Sequence, residues 1–183
     1  IARFRNQSLP QKTLQHRDAG VLILIYPKNN ISHFALIERP FYNGQHSGQI
    51  ALPGGKVEQE DENIIATALR EAHEETNIHP NQVEIIKPLS QIFIPPSNFF
   101  VTPLLGLTHE TPNFIPEERE VKSILEVNLN DLLTNNNFKK RDVSAQNGFK
   151  INAPSFELNG KIVWGATAMM LNELKHMIHE LTS

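Results

Sequence analysis

Residues 70–75 read Arg-Glu-Ala-His-Glu-Glu, so Glu71, Glu74 and Glu75 crowd together beside Arg70. On a helix, at about 100° per residue, the three carboxylates share one face, with Glu71 and Glu75 one turn apart and Glu74 flanking them. Like charges this close need either abundant water or a cation between them. An all-oxygen set of this kind suits a hard divalent cation such as Mg²⁺, which keeps part of its water and takes phosphate oxygens as further ligands. Taken alone, the pattern is equally that of a solvated helix face, because Glu is a good helix former. Arg70 is then a surface ion-pair partner of little energetic worth.

The preceding segment, "LPGGKVEQED" at residues 52–61, changes that balance. Pro53, Gly54 and Gly55 make a tight turn where the backbone can approach a ligand closely. A carbonyl from that turn and carboxylates from the helix can meet at one metal. Further candidates lie outside this stretch. "IPEEREV" offers Glu117, Glu118 and Glu120, and Arg39 and His46 are upstream polar residues within a Gly- and Pro-rich segment. His73-Glu74 begins like a zinc-protease motif, but the second His belongs at position 77, where Asn77 stands. The chain has no cysteine, which excludes disulfides, thiolate nucleophiles and zinc–thiolate sites.

These residues must be held by a scaffold, and the sequence outlines one. Residues 19–26, "AGVLILIY", read as a buried strand. "PKNN" turns the chain into a second strand, "SHFALIER", and "GQIAL" gives a short strand inside the loop of residues 40–60. Residues 61–77 form the strongest helix, with Asp61 as its N-cap and Ile65, Ala68, Leu69 and Ala72 as one apolar stripe. Asn77 suits a left-handed end. "QVEIIKPLSQIFI" and "FFVTPLLGLTH" read as two further strands, then "SILEV" as another. A short helix begins near Asn130, and residues 135–137, "NNN", signal a polar loop. "SFELNGKIVWG" is a hairpin turned at Asn159-Gly160, and "ATAMMLNELKHMIHEL" is a closing amphipathic helix onto which Trp164, Met169 and Met170 pack. The order predicts an α/β (α+β) fold, a mixed sheet with helices on its faces. Residues 1–17 are expected to be an arm and residues 18–183 a single domain.

Bulk properties narrow the function. The 183 residues suffice for a sizeable core, and a net charge of −3 argues against nucleic-acid binding through a broad basic surface. No apolar run is long enough to span a bilayer and none reads as a signal peptide, so no membrane partner and a cytoplasmic location are expected.

The stretch from Gly55 to Ile78 resembles the Nudix box, G-x5-E-x7-R-E-U-x-E-E-x-G-U, where U is aliphatic. Gly55 fills the first glycine, Asp61 stands for the first Glu, and Arg70, Glu71, Ala72, Glu74, Glu75 and Ile78 follow. The spacer before Arg70 is eight residues, and Asn77 replaces the late glycine. The coenzyme A pyrophosphatase branch of that family shows the same longer spacer and an upstream motif, L-L-T-x-R-S-x3-R-x3-G-x3-F-P-G-G. "ALIERPFYNGQHSGQIALPGG" is similar to it at Arg39, Gly48, Pro53, Gly54 and Gly55, with Ile37, Gly44 and Leu52 departing. "FVTPLLG" and "VWGATAMMLNEL" resemble later segments of the same branch.

The resemblance implies a Nudix-type mixed sheet sandwiched between helices. It implies a Mg²⁺- or Mn²⁺-dependent hydrolase cleaving the P–O–P bridge of coenzyme A or an acyl-coenzyme A. The products are a phosphopantetheine derivative and adenosine 3′,5′-bisphosphate. ADP-ribose or a dinucleotide is the alternative substrate, and a non-catalytic binding module the alternative of a different class. By the same resemblance Glu71 and Glu75 are the principal metal ligands, with Glu74 and the Gly55 carbonyl as further ones. Glu120, Glu74 and Arg70 are catalytic candidates, Arg70 by holding a glutamate in place. Arg39, His46 and Gly54 are candidates for binding substrate. A homodimer is compatible with the resemblance.

Overall fold

A computed structural model describes residues 16–42, 46–134, 138–144 and 150–182. Residues 1–15 of the expected arm and the expected polar loop at 135–137 lie outside the described residues.

The apolar run near the N-terminus becomes a long strand, β1 (Arg17–Lys28), which also takes in Arg17 from the expected arm. Successive strand side chains point to opposite faces. Both faces of β1 are apolar, so it must be covered on both. Ile23 packs in one core cluster, with Val21 and Ile25 beside it, while Leu22, Leu24 and Tyr26 pack in the other. Fully burying such a side chain is worth roughly 1.5–3 kcal/mol, so the two clusters fix the register of the strand.

β1 pairs in parallel along its length with β7 (Phe99–Leu107). Its other edge is shared. Residues 25–28 pair antiparallel with β2 (Ile31–Glu38), whereas residues 19–21 pair with β4 (Gly54–Lys56). β3 (Ile50–Ala51) and β8 (Ser123–Asn128) lie on β2, and β5 (Glu84–Pro88) and β6 (Ile92–Ile94) on β7. The chain therefore diverges where the edge partner of β1 changes from β2 to β4, and at that divergence Gly54 and Gly55 pair with Val21 and Gly20 as a strand rather than making the expected tight turn.

Helix α1 (Ile64–Thr76) covers one face through Ala68 and Ala72, both fully buried. The opposite face is covered by α2 (Leu129–Thr134) and α3 (Gly165–Thr182), through Leu132, Ala168, Met170, Leu171 and Leu174. A second, antiparallel sheet of β9 (Lys139–Ser144), β10 (Lys150–Leu158) and β11 (Lys161–Trp164) joins that layer. Asn159 and Gly160 both take positive φ at its hairpin, as the Asn-Gly pair predicts. The mixed sheet between helices is thus as expected.

Three further local expectations are corrected. The cap of α1 is Asn63, whose side chain accepts from the Ile65 and Ala66 N–H groups at 2.9 and 3.0 Å; Asp61 is committed to Arg70 instead. Ile65 leaves the apolar stripe and is exposed, because the close approach to β1 is made by Ala68 and Ala72. The single strand read at residues 82–94 is split into β5 and β6, each pairing with β7, with residues 89–91 outside either strand. β9 was not anticipated, because "KKRDVS" carries little apolar signal.

Candidate active site

Two features of the chain bring the acidic face of α1 against the start of β4. Asn77 closes the helix in the left-handed conformation with φ 63°. The loop of residues 115–121 then docks on the last helical turn: Ile115 N–H donates to the Thr76 carbonyl and Glu117 N–H to the Glu75 carbonyl, at 3.1 and 3.0 Å. Helix-end carbonyls need such partners. Supplying them carries Glu120 toward the carboxylates of α1.

Glu75 is the inner member of the set. It is 1% exposed, and one of its oxygens accepts the Gly54 N–H at 2.8 Å. Burial pushes its carboxyl up to about 7; the Gly54 N–H and the Arg39 charge oppose that, and the charges of Glu71 and Glu120 add to it. Glu71 is half-buried and also raised, chiefly by burial, with Arg70 opposing and Glu74 and Glu120 adding. Its carboxylate lies directly on Gly55: a Cβ there would meet a Glu71 oxygen at 2.3 Å. Glu74 stands outermost, its side chain 55% exposed and bonded to Arg70 at 3.2 Å.

Arg70 ties the loop to the helix. Its Nε and one terminal nitrogen grip Asp61 as a fork, both at 2.9 Å, and that same terminal nitrogen donates to the Lys56 carbonyl at 3.1 Å. The remaining nitrogen reaches Glu71 and Glu74 at 3.2 Å each. Asp61, whose side chain is only 4% exposed, also accepts from Thr67 Oγ1 and Glu58 N–H. The Arg70 fork holds its carboxyl far below the usual range.

The upstream candidates divide. Arg39 is close enough for its charge to act on Glu75, and its Nε is buried with no hydrogen-bond partner among the described residues. His46 is engaged locally, its Nδ1 3.0 Å from Gln49 Oε1 within its own loop.

Burial first, and the Glu120 charge in smaller part, raises the carboxyls of both Glu71 and Glu75, which is the electrostatic mark of a place short of positive charge. Gly55 leaves the β4 backbone against Glu71. Among the described residues no group of three or more acidic or His side chains forms a ready metal shell, and Arg70 draws Glu71 and Glu74 to itself. Oxygen donors that leave positions to water and phosphate fit Mg²⁺ or Mn²⁺ rather than a metal needing a closed protein shell.

A family model of the NUDIX domain matches residues 15–146. The chain belongs to the Nudix family. It is 34% identical over 177 residues to the uncharacterized Nudix hydrolase NudL of Salmonella dublin, covering 95% of this chain and 90% of that protein. It is 32% identical over 188 residues to the protein of the same name from Pectobacterium atrosepticum, covering 98% and 93%. Among solved structures, an Ap4A hydrolase of C. elegans in a binary complex superposes with a TM-score of 0.59 at 14% identity, over 90% of this chain and 98% of that one. The NUDIX domain of Shewanella oneidensis NrtR, complexed with ADP ribose, gives 0.52 at 17% identity, over 73% and 86%. At these identities the two structures share the Nudix fold with this chain.

Within the Nudix domain, the Gly54 N–H to Glu75 contact and the grip of Arg70 on Asp61 were not foreseen in detail. Both had a signal: a Gly-Gly pair before the helix, and an acid nine residues before Arg70. The tie of Glu117 to Glu75 had none, since it joins backbone groups.

Proposed function

We propose that this protein is a Mg²⁺- or Mn²⁺-dependent pyrophosphohydrolase of the coenzyme A type, cleaving the P–O–P bridge of coenzyme A or an acyl-coenzyme A. The observation that carries the hydrolase reading is Glu75, a buried carboxylate held against Gly54 at the start of β4 with Glu71 and Glu120 around it. The coenzyme A assignment is supported by the likeness of Arg39, Gly48, Pro53, Gly54 and Gly55 to the upstream motif of that branch. A Nudix hydrolase name on relatives aligned over nearly their whole length supports catalysis.

Glu71 and Glu75 would hold the divalent cation, with the Gly55 carbonyl and Glu74 as further oxygen donors, and the ion would supply charge neutralisation of the diphosphate and a more acidic water. The other steps belong to side chains. Gly54 N–H fixes the rotamer of Glu75. Arg70 sets the position of Glu71 and Glu74 while Asp61 anchors it. Arg39, whose charge acts on Glu75, is the candidate for a phosphate of the substrate. Glu120 takes the proton of the water that attacks phosphorus, and the P–O bond to the leaving phosphate breaks. His46 borders the substrate from the neighbouring loop. A cytoplasmic site of action goes with this reading.

Gly44, in place of the second Arg of the upstream motif, favours a second reading: hydrolysis of ADP-ribose or a dinucleotide. The test is a panel of coenzyme A, an acyl-coenzyme A, ADP-ribose and a diadenosine polyphosphate with Mg²⁺ and Mn²⁺, beside Glu75→Gln. Turnover of coenzyme A that this variant abolishes is the expected result. Turnover of another substrate alone moves the protein to the second reading, and none without divalent-metal binding makes it a binding module.

A further inference from the structure

At about 100° per residue, His73 lies about 200° around α1 from both Glu71 and Glu75, away from the acidic face. Its Nδ1 is sealed from solvent and has no hydrogen-bond partner among the described residues. A buried ring nitrogen in that state forgoes a bond whichever tautomer it adopts, and folded proteins rarely leave one so. The His79 ring stands beside it, with centroids 5.3 Å apart and planes inclined at 56°. His79 Nδ1 faces Asn81 Oδ1, which only accepts, so Nδ1 carries the proton and Nε2 keeps its lone pair. An oxygen acceptor on one ring nitrogen is the arrangement that orients a ligating imidazole.

Two imidazoles on one tetrahedral ion, with metal–nitrogen bonds of about 2.1 Å, have ring centres about 5 Å apart. Ring packing alone also reaches this distance, but it leaves His73 Nδ1 unmet; an ion shared by the two rings supplies its partner. His79 is exposed and lines an open polar cleft of about 540 Å³ with Asn77, Asn81, Glu110 and Thr111, which gives an ion a route in and room for its waters. The cleft lies at the C-terminal end of α1, where the helix dipole favours positive charge, and Glu110 adds a carboxylate to its wall. No third His or acidic side chain is grouped with the pair among the described residues, so water would fill the remaining positions.

We propose that His73 and His79 form a binding site for a transition-metal dication of the Zn²⁺ class, separate from the carboxylates of α1. Imidazole nitrogens select such ions over Mg²⁺, which takes oxygen ligands. The second imidazole comes from position 79, beyond the helix, rather than from position 77, where Asn77 ends it. An ion held there fastens the last turn of α1 to the segment at 79–82, and so secures the helix end on which the 115–121 loop docks. The site is independent of which substrate the protein hydrolyses.

The test is calorimetric titration of the untagged whole protein with Zn²⁺ in excess Mg²⁺, for wild type, His73→Gln, His79→Gln and Glu75→Gln. Wild type is expected to bind Zn²⁺, each His variant to weaken that binding about tenfold or more, and Glu75→Gln to leave it unchanged. His79 is exposed, so its substitution leaves the fold intact. In wild type, imidazole nitrogen NMR with substoichiometric Zn²⁺ is expected to show His73 and His79 shifting together among the 8 histidines of the chain. Absence of Zn²⁺ binding overturns the proposal. So does an affinity that survives both His substitutions, binding that Glu75→Gln abolishes, or ring shifts confined to other histidines.

Discussion

Glu75 accepts the backbone N–H of Gly54 at 2.8 Å while its carboxylate is almost completely removed from water. One hydrogen bond does not compensate an ionised carboxylate for that loss of solvent. The pair therefore describes a group that is fixed in direction but kept short of positive charge, which is what a metal ligand needs before the metal arrives.

The cost shows in the metal-free protein. Burial, first among the causes, raises Glu75 to about 7, above the 4.5 of an unperturbed Glu. Between about pH 4.5 and 7 the folded state thus binds a proton that the unfolded chain has lost, so stability falls as pH rises through that window. Above it the penalty is complete, at about 3 kcal/mol. Glu75→Gln keeps an oxygen for the Gly54 N–H and removes the charge. Under EDTA, urea unfolding should find this variant more stable than wild type at pH 8 and equal to it near pH 4.5. A variant less stable than wild type at pH 8 contradicts the assignment of the shift to burial.

Gly54 and Gly55 should fail differently. Gly54 has φ of 144°, and a Cβ there would lie 2.3 Å from the Gly20 carbonyl oxygen and 2.5 Å from Val21 Cα, both backbone atoms that cannot yield. Gly54→Ala is expected to cost about 2 kcal/mol or more, from strain and lost β1–β4 pairing. At Gly55 the obstacle is the end of the Glu71 side chain, which can swing away. Gly55→Ala should cost under about 1 kcal/mol of stability yet reduce metal-dependent turnover at least tenfold. Equal stability losses for the two substitutions count against the placement of Glu71.

The sandwich and the acidic helix face were legible because they follow from periodicity: β1 is apolar on both faces and α1 is amphipathic. Asn77 and the Asn159-Gly160 turn were legible because positive φ selects those residues. The N-cap was misplaced because Asp61 and Asn63 have equal capping chemistry, and what separates them is the distant fork of Arg70. Glu120 was legible as a candidate only through resemblance; its approach to Glu71 and Glu75 depends on backbone bonds from the 115–121 loop. Buried Glu38 accepts from Lys122 and Lys161, 84 and 123 residues away, a separation that no local pattern encodes.

Arg70 should resist its conservative replacement. The fork on Asp61 uses two nitrogens in one plane while a third reaches the acidic face. Lys offers a point charge and cannot span these partners. Arg70→Lys is expected to cost about 2 kcal/mol, since it leaves the well-buried Asp61 short of donors. Asp61→Asn combined with Arg70→Lys should cost less than the sum of the singles, with a coupling of about 1 kcal/mol or more in urea unfolding. Additive losses show that the two residues act separately.

Divalent cation should act as a stabiliser whose effect depends on pH. Binding to the folded state alone raises stability by about 2.7 kcal/mol at one hundred times Kd. With Glu75 as a proposed ligand, it must be ionised to bind, so the gain is expected to grow as pH rises through about 7. The expected result is a Tm that increases with Mg²⁺ at pH 8, increases little at pH 5.5, and responds to neither in Glu71→Gln or Glu75→Gln. Glu74→Gln should retain most of the shift, since that side chain is largely exposed and turned to Arg70. If Glu74→Gln abolishes the Mg²⁺ response while Glu75→Gln keeps it, the ligands lie on the outer edge of the helix and the inner carboxylate has another role.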